Sequence, residues 1–185
     1  ALLALTRIAR RDAEPVRTVY RDPQAWRALW ALLGASTGFA EFFLRRPAEL
    51  VHITGAGVDL PSPESLRREM LEAVGADDGF AAEGGEEAWV GLRVRYRRLL
   101  ARIAAFDLLH PDPLEVMPEV AARLADAAGA ALEASLAVAR TRVSRGAAGA
   151  GLFPADQVAR THLAVIGMGK AGARELNYVS DVDVI

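Results

Sequence analysis

The chain has 185 residues, 22 basic and 24 acidic, and a formal net charge of −2, which is no footprint for a nucleic-acid binder. Apolar residues make up 52% of it, enough for a packed core and too many for a disordered chain. It contains no cysteine, so disulfide frameworks, thiol nucleophiles and zinc–thiolate sites are excluded.

At roughly 150 residues per domain, this length allows one domain and part of another. No apolar run approaches the roughly 18 residues of a membrane span. Arg7, Arg10 and Arg11 interrupt the only apolar stretch near the start, which therefore does not read as a secretory signal. A soluble, cytoplasmic protein is expected. Ala1 stands where a methionine would, and Ile185 falls inside an alternating apolar pattern, so the sequence reads as a piece of a longer protein. Alanine fills about a fifth of the chain, and 21 of the 22 basic residues are arginine. Against that background the single lysine, Lys170, and the single asparagine, Asn177, stand out in the last twenty residues.

From Asp22 to about Thr141 the apolar spacing is helical nearly throughout. Asp22-Pro23 is an N-cap with proline at the first helical position, followed by Trp26, Leu29, Trp30 and Leu33 on one face and Gly34 as a stop. A second short helix is expected over Ser36–Arg46, turning Phe39, Phe42 and Phe43 inward until Pro47 ends it. Pro61-Ser62-Pro63 punctuates the next start, with Met70, Leu71 and Val74 along that helix. Residues 75–85 are rich in Gly, Ala and Asp and read as an exposed loop.

The strongest amphipathic pattern runs from about Glu86 to Leu109, with Trp89, Leu92, Tyr96, Leu99, Leu100, Ile103 and Phe106 as its apolar stripe. Arg93, Arg95, Arg97, Arg98 and Arg102 occupy much of the remaining circumference. A solvated face with ion pairs along the helix is the preferred reading; a docking face for an acidic partner protein is the alternative. His110-Pro111-Asp112-Pro113 breaks this helix, and a long one is expected from about Leu114 to Arg142. His52, His110 and His162 share no metal-ligand spacing.

Ser144–Pro154 is rich in Gly and Ala and reads as a linker. After it the period changes. His162–Met168 is a short apolar run bounded by glycine, the signature of a buried strand, and Val182, Val184 and Ile185 interleaved with Asp181 and Asp183 begin a second. Gly167, Gly169 and Gly172 between them satisfy G-x-G-x-x-G, which invites a dinucleotide-binding reading. That reading needs a full helix after the third glycine, and only about eight residues separate Gly172 from the Val-Ser-Asp turn. A Walker A loop fails as well, since Ala171 stands where Ser or Thr must reach the metal.

A metal reading uses every part of the segment. Asp181 and Asp183, two apart on a strand, project from the same face. Two like charges that close repel unless a divalent cation lies between them, and magnesium takes one or two carboxylates plus substrate phosphates. The glycine turn offers backbone N–H groups for a phosphate, with Lys170 beside it. Together these point to metal-dependent phosphoryl or nucleotidyl transfer.

Gly169-Lys170 followed by Ser180-Asp181-Val182-Asp183 resembles the motif of the nucleotidyltransferase superfamily of DNA polymerase β type. The longer string from Gly167 to Ile185 closely resembles the bifunctional glutamine synthetase adenylyltransferase/adenylyl-removing family, its actinobacterial members above all. The arginine-rich stretch Leu92–Ile103 resembles that family's helix ahead of the motif.

The resemblance implies a mainly α fold: a helical region over 1–143, a linker over 144–160, and at 161–185 the first strands of a truncated α/β nucleotidyltransferase domain. Glu175-Leu-Asn-Tyr-Val-Ser-Asp resembles the N-terminal, adenylyl-removing copy of the family's two domains. The implied reaction is magnesium-dependent phosphorolysis of adenylyl-tyrosine to ADP. Asp181 and Asp183 would hold the metal, Gly169 and Lys170 would position phosphate oxygens, and Ser180 would brace the turn. Glutamine synthetase, the PII signal protein, ATP, ADP and phosphate are the implied partners. A third carboxylate from a later strand is expected beyond Ile185, which would leave this piece inactive alone.

Overall fold

The computed structural model describes residues 1–55, 59–145 and 151–185. It is mainly helical, as expected. Its residues form two compact units, Ala1–Pro61 with Arg97–Val120, and Ser62–Tyr96 with Ala121–Ile185. Among the described residues no helix is long and apolar enough to cross a membrane.

The first unit begins with two helices ahead of the expected ones, α1 (Leu2–Arg11) and α2 (Ala13–Tyr20). Asp12 separates them, its extended backbone ending α1 while its carboxylate accepts the Glu14 N–H and starts α2. Helix α3 (Pro23–Ala35) starts where Asp22-Pro23 predicts, the Asp22 carboxylate accepting the N–H groups of Gln24 and Ala25. It runs one residue past Gly34, because Ser36 is the extended residue that both closes α3 and caps α4 (Thr37–Arg45). Pro47 ends α4 as expected, and a 3-10 helix, Pro47–Ile53, follows it.

Ile8, Val19, Leu29, Leu32, Phe43, Leu50 and Ile53 form this unit's core with Leu99 and Ile103. Trp26 and Trp30 are only half-buried. They pack edge to face on each other, and Trp26 does the same with Tyr20.

In the second unit Ser62 caps α5 (Pro63–Ala73), its hydroxyl accepting the Ser65 N–H. The following stretch is more ordered than an exposed loop. Asp77 and Phe80 exchange both backbone hydrogen bonds, and Asp78 and Gly79 between them have φ of 45° and 78°. This is the two-residue hairpin that an Asp-Gly pair favours. Ala81 is buried, its N–H bonded to the Ala137 carbonyl and its own carbonyl accepting from the buried Thr141 hydroxyl.

Helix α6 (Glu86–Leu109) has the expected bounds, and α7 (Pro113–Arg145) extends three residues beyond the expected end. Asp112 starts α7 by accepting the N–H groups of Leu114 and Glu115. Leu66, Met70, Leu92, Leu124, Ala127, Ala134 and Val138 form the core of the second unit. Alanine at these α7 positions lets neighbouring backbone come close. Part of the expected linker, 146–150, lies outside the described residues, and a short helix α8, Ala155–Arg160, occupies its last third.

The arginine face of α6 is not the solvated face expected. Arg98, in the first unit, makes a bidentate pair with Glu49, Nε–Oε2 2.7 Å and Nη2–Oε1 3.1 Å, with both side chains about one-seventh exposed. Arg95, in the second, donates to the Glu69 carbonyl at 2.9 Å. Arg102 is half-buried, while Arg93 and Arg97 remain exposed. Side chains committed to intramolecular carboxylates and carbonyls do not form a docking face, because a long arginine next to a core element buries its stem there and takes the nearest acceptor.

Candidate functional site

The C-terminal segment is built on α7 within the second unit. The apolar run His162–Met168 is not the buried strand expected: Leu163, Val165 and Ile166 are all exposed. Hydropathy shows only that these side chains favour cover, and the described residues supply it only in part. Pairing is confined to the end of the run. Ile166 and Ile185 exchange both backbone hydrogen bonds, at 2.9 and 3.0 Å, and Met168 N–H reaches the Asp183 carbonyl at 2.8 Å. Gly167 lies opposite Val184 in this antiparallel bridge.

Between the paired stretches lies a turn of one helical loop, α9 (Gly169–Gly172). Gly169 has φ of 51°, a left-handed conformation that glycine adopts without steric cost. A Cβ there would stand 3.4 Å from Oδ2 of Asp183. The glycine turn and the second aspartate of the Asp-x-Asp pair are therefore neighbours. A Cβ on Gly172 would overlap the Gly167 carbonyl.

This geometry removes the dinucleotide reading. No long helix follows Gly172, since residues 173–180 form turns and extended chain. The bridge between Gly167 and Val184 is antiparallel, whereas a βαβ unit makes its strands parallel.

Of the expected site residues, the fold brings Gly169 and Asp183 together directly. Lys170 follows in the same turn and is exposed, Ser180 is half-buried, and Asp181 is exposed. Among the described residues, no side-chain hydrogen bond or ion pair ties Lys170, Ser180 or Asp181 to the Gly169–Asp183 contact. Nor is there, among them, a group of three or more Asp, Glu or His side chains that could hold a metal ion. The donor set among the described residues is thus two solvent-facing carboxylates. That number suits magnesium, which keeps several waters and completes its shell with substrate phosphates.

Two residues essential to the shape of this segment carry no sequence signal. Arg174 has φ of 60°, and its guanidinium grips Asp126 of α7 through Nη1–Oδ1 at 2.6 Å and Nη2–Oδ2 at 2.9 Å. Hydrogen bonding to Asp126, with its charge, raises the Arg174 pKa further above its ordinary value. Leu176, two residues on, is buried. Beside them the segment rests on small residues of α7 across a groove of about 290 Å³, lined among others by Ala128, Gly129, Leu132, Leu163 and Val182.

The chain is thus a mainly helical protein whose helices lead into a glycine turn set beside Asp183. The family model described as glutamate-ammonia ligase adenylyltransferase matches residues 26–185, and the chain belongs to that family. It is 52% identical over its full length to a bifunctional glutamine synthetase adenylyltransferase/adenylyl-removing enzyme of Leifsonia xyli, and covers 18% of that protein. Like-named proteins of Bifidobacterium longum subsp. infantis and Mycobacterium tuberculosis are 38% and 40% identical over 96% and 85% of the chain. The chain covers 16% and 14% of their lengths. It thus spans less than a fifth of the relatives it matches. No solved structure matches it.

Proposed function

We propose that this chain is the helical arm and the opening strands of the adenylyl-removing domain of a bifunctional enzyme acting on glutamine synthetase in the cytoplasm. The observation that carries the reading is the Gly169–Asp183 contact. It sets a glycine-bounded turn with free backbone N–H capacity beside a carboxylate pair, the arrangement that phosphoryl chemistry uses for positioning and charge neutralisation.

In this reading Asp181 and Asp183 hold magnesium, which supplies neutralisation of phosphate charge when bound. Gly169 lets a phosphate oxygen approach the backbone, and Lys170 places a cation on the exposed side of the turn. Ser180 holds the entry to the aspartate strand. An oxygen of inorganic phosphate attacks the adenylyl phosphorus, the bond to the tyrosine oxygen breaks, and that oxygen takes up a proton. ADP and the free tyrosine result. Glu175-Leu176-Asn177-Tyr178 supports the removing half over the attaching half, since the family's attaching copy tends to carry glycine where Asn177 and Val179 stand. The PII protein and ATP belong to the whole enzyme in the same reading.

The test uses the full-length protein with Asp181→Asn and Asp183→Asn combined. Phosphate-dependent release of ADP from adenylylated glutamine synthetase should fall by about 10²-fold or more, while attachment of AMP from ATP persists. Loss of attachment with removal intact would overturn the assignment to this half.

A further inference from the structure

We propose that Arg174 and Asp126 form a positioning pair that locks the nucleotide-binding turn onto α7. This rests on the reading of the turn given above, and concerns residues that touch neither the phosphate nor the carboxylates in it.

The argument starts from backbone strain. Arg174 is one of two non-glycine residues with positive φ among the described residues, the other being Asp78 in its hairpin. Aspartate visits the left-handed region with some ease, whereas arginine gains nothing local from it. A side-chain-bearing residue stays there only when its surroundings over-determine it. The surroundings here are specific. Both guanidinium nitrogens meet both oxygens of Asp126, the fork-to-fork geometry that fixes orientation as well as distance. Asp126 is 13% exposed, and Arg123 Nη1 adds a second cation 3.6 Å from its Oδ2. Asp126 is thus a largely buried carboxylate on α7 with two arginines beside it.

The link from Arg174 back to the turn is short and fully bonded. Gly172 N–H reaches the Met168 carbonyl at 2.9 Å, and Ala173 N–H reaches that of Gly169 at 2.9 Å. Arg174 N–H reaches Ala171 at 3.2 Å, and Glu175 N–H reaches Lys170 at 2.8 Å. Every backbone carbonyl from Met168 to Ala171 is thus tied into the same knot that Arg174 closes. Leu176 is buried immediately after it. A shift of the guanidinium off Asp126 is transmitted to Gly169 and Lys170 with little slack, and from Gly169 to its contact with Asp183.

A double-mutant cycle in the full-length protein tests this. Arg174→Gly removes the guanidinium while suiting the left-handed backbone, so it introduces no strain of its own. Asp126→Asn keeps the shape of its side chain. Amide hydrogen exchange of the peptide spanning 168–176 is followed, with α7 as the internal control that the fold persists. Each single variant should speed exchange in 168–176 by about tenfold, and the double variant should be no faster than either single one. The kcat for phosphate-dependent ADP release should fall between about 10- and 100-fold with KM for adenylylated synthetase little changed. Unchanged exchange, additive effects in the double variant, or faster exchange with both reaction rates intact would each overturn the proposal. Faster, non-additive exchange accompanied by loss of AMP attachment instead of removal would support the anchor and overturn the assignment to the removing half.

Discussion

Arg98 reaches Glu49 across 49 residues of sequence with two parallel hydrogen bonds, 2.7 and 3.1 Å long, while Arg97 beside it on α6 points into solvent. Adjacent helical positions differ by about 100° around the axis, so one arginine can serve the core and its neighbour the surface. The pair is about one-seventh exposed on both sides, so truncating one partner leaves a poorly solvated charge behind. Arg98→Met should cost about 1–3 kcal/mol, and Arg97→Ala should stay within about 0.5 kcal/mol of the parent. Urea melts of the two variants decide it: equal midpoints would show that Arg98 contributes no more than a surface arginine.

Two helical glycines should respond to alanine with opposite signs. Gly91 on α6 faces the end of α5, where a Cβ would come within 2.9 Å of the Ala73 carbonyl oxygen. That contact is with backbone, which cannot swing away, so Gly91→Ala should destabilise by about 1–3 kcal/mol. Gly129 on α7 has nothing within 4 Å of the corresponding point. There the methyl only lowers the entropy of the unfolded chain, and Gly129→Ala should stabilise by about 0.5–1 kcal/mol. Matched thermal melts check the pair, and a shared sign would refute the packing account.

What was legible in the sequence was local. Asp22-Pro23, Ser36, Ser62-Pro63 and His110–Pro113 act on backbone groups within three or four residues of themselves, so the starts of α3, α4, α5 and α7 follow from chain order alone. The Asp78-Gly79 hairpin carries an equally local signal, an Asp-Gly pair, which the Gly, Ala and Asp content of residues 75–85 does not by itself distinguish from a loop. Arg98 and Glu49 could not be paired because nothing local distinguishes Arg98 from Arg97. The run Leu163–Ile166 shows the converse limit: its hydropathy states a preference for burial, while exposure depends on what else packs there. In the candidate site, the Gly169–Asp183 proximity followed from two strands joined by a glycine turn. The Arg174 anchor did not, because left-handed backbone is expected at glycine or asparagine, and Asp126 looks like any acidic residue on a long helix.

Asp22 carries a pH dependence. Its carboxyl is held below the usual carboxylate range first by the Gly55 N–H at 2.9 Å, then by that of Ala25 and, more weakly, of Gln24. A depressed folded-state value means that the carboxylate's stabilisation is complete above its unfolded value of about 3.9, and is lost as pH falls through the lower folded value. Asparagine keeps a capping oxygen but does not titrate. Asp22→Asn should therefore have a less steep loss of Tm below about pH 4 than the parent. Identical acid limbs in thermal melts from pH 6 to pH 2.5 would remove Asp22 from the acid response.

The three glycines of the turn should not be equivalent. Gly167 has its nearest neighbour, the Gly172 nitrogen, 3.5 Å from a would-be Cβ, an ordinary van der Waals contact. Gly169 has φ of 51°, so a methyl there strains the backbone, and that strain falls beside the Asp183 carboxylate, whose Oδ2 would lie 3.4 Å from the methyl. At Gly172 the methyl collides with the Gly167 carbonyl, a backbone atom of the same turn that has nowhere to move. In the full-length protein, Gly167→Ala should keep phosphate-dependent ADP release within about twofold of the parent. Gly169→Ala and Gly172→Ala should each slow it by about 10²-fold, the usual consequence of misplacing a reacting group by an ångström. In the proposed reading AMP attachment should be unchanged in all three, because a different domain would carry it. Steady-state rates in both directions on the three variants give the ranking. A Gly167→Ala variant as impaired as Gly169→Ala would mean that the turn is read as a continuous glycine strip, and that the Gly169–Asp183 contact is not what sets the rate.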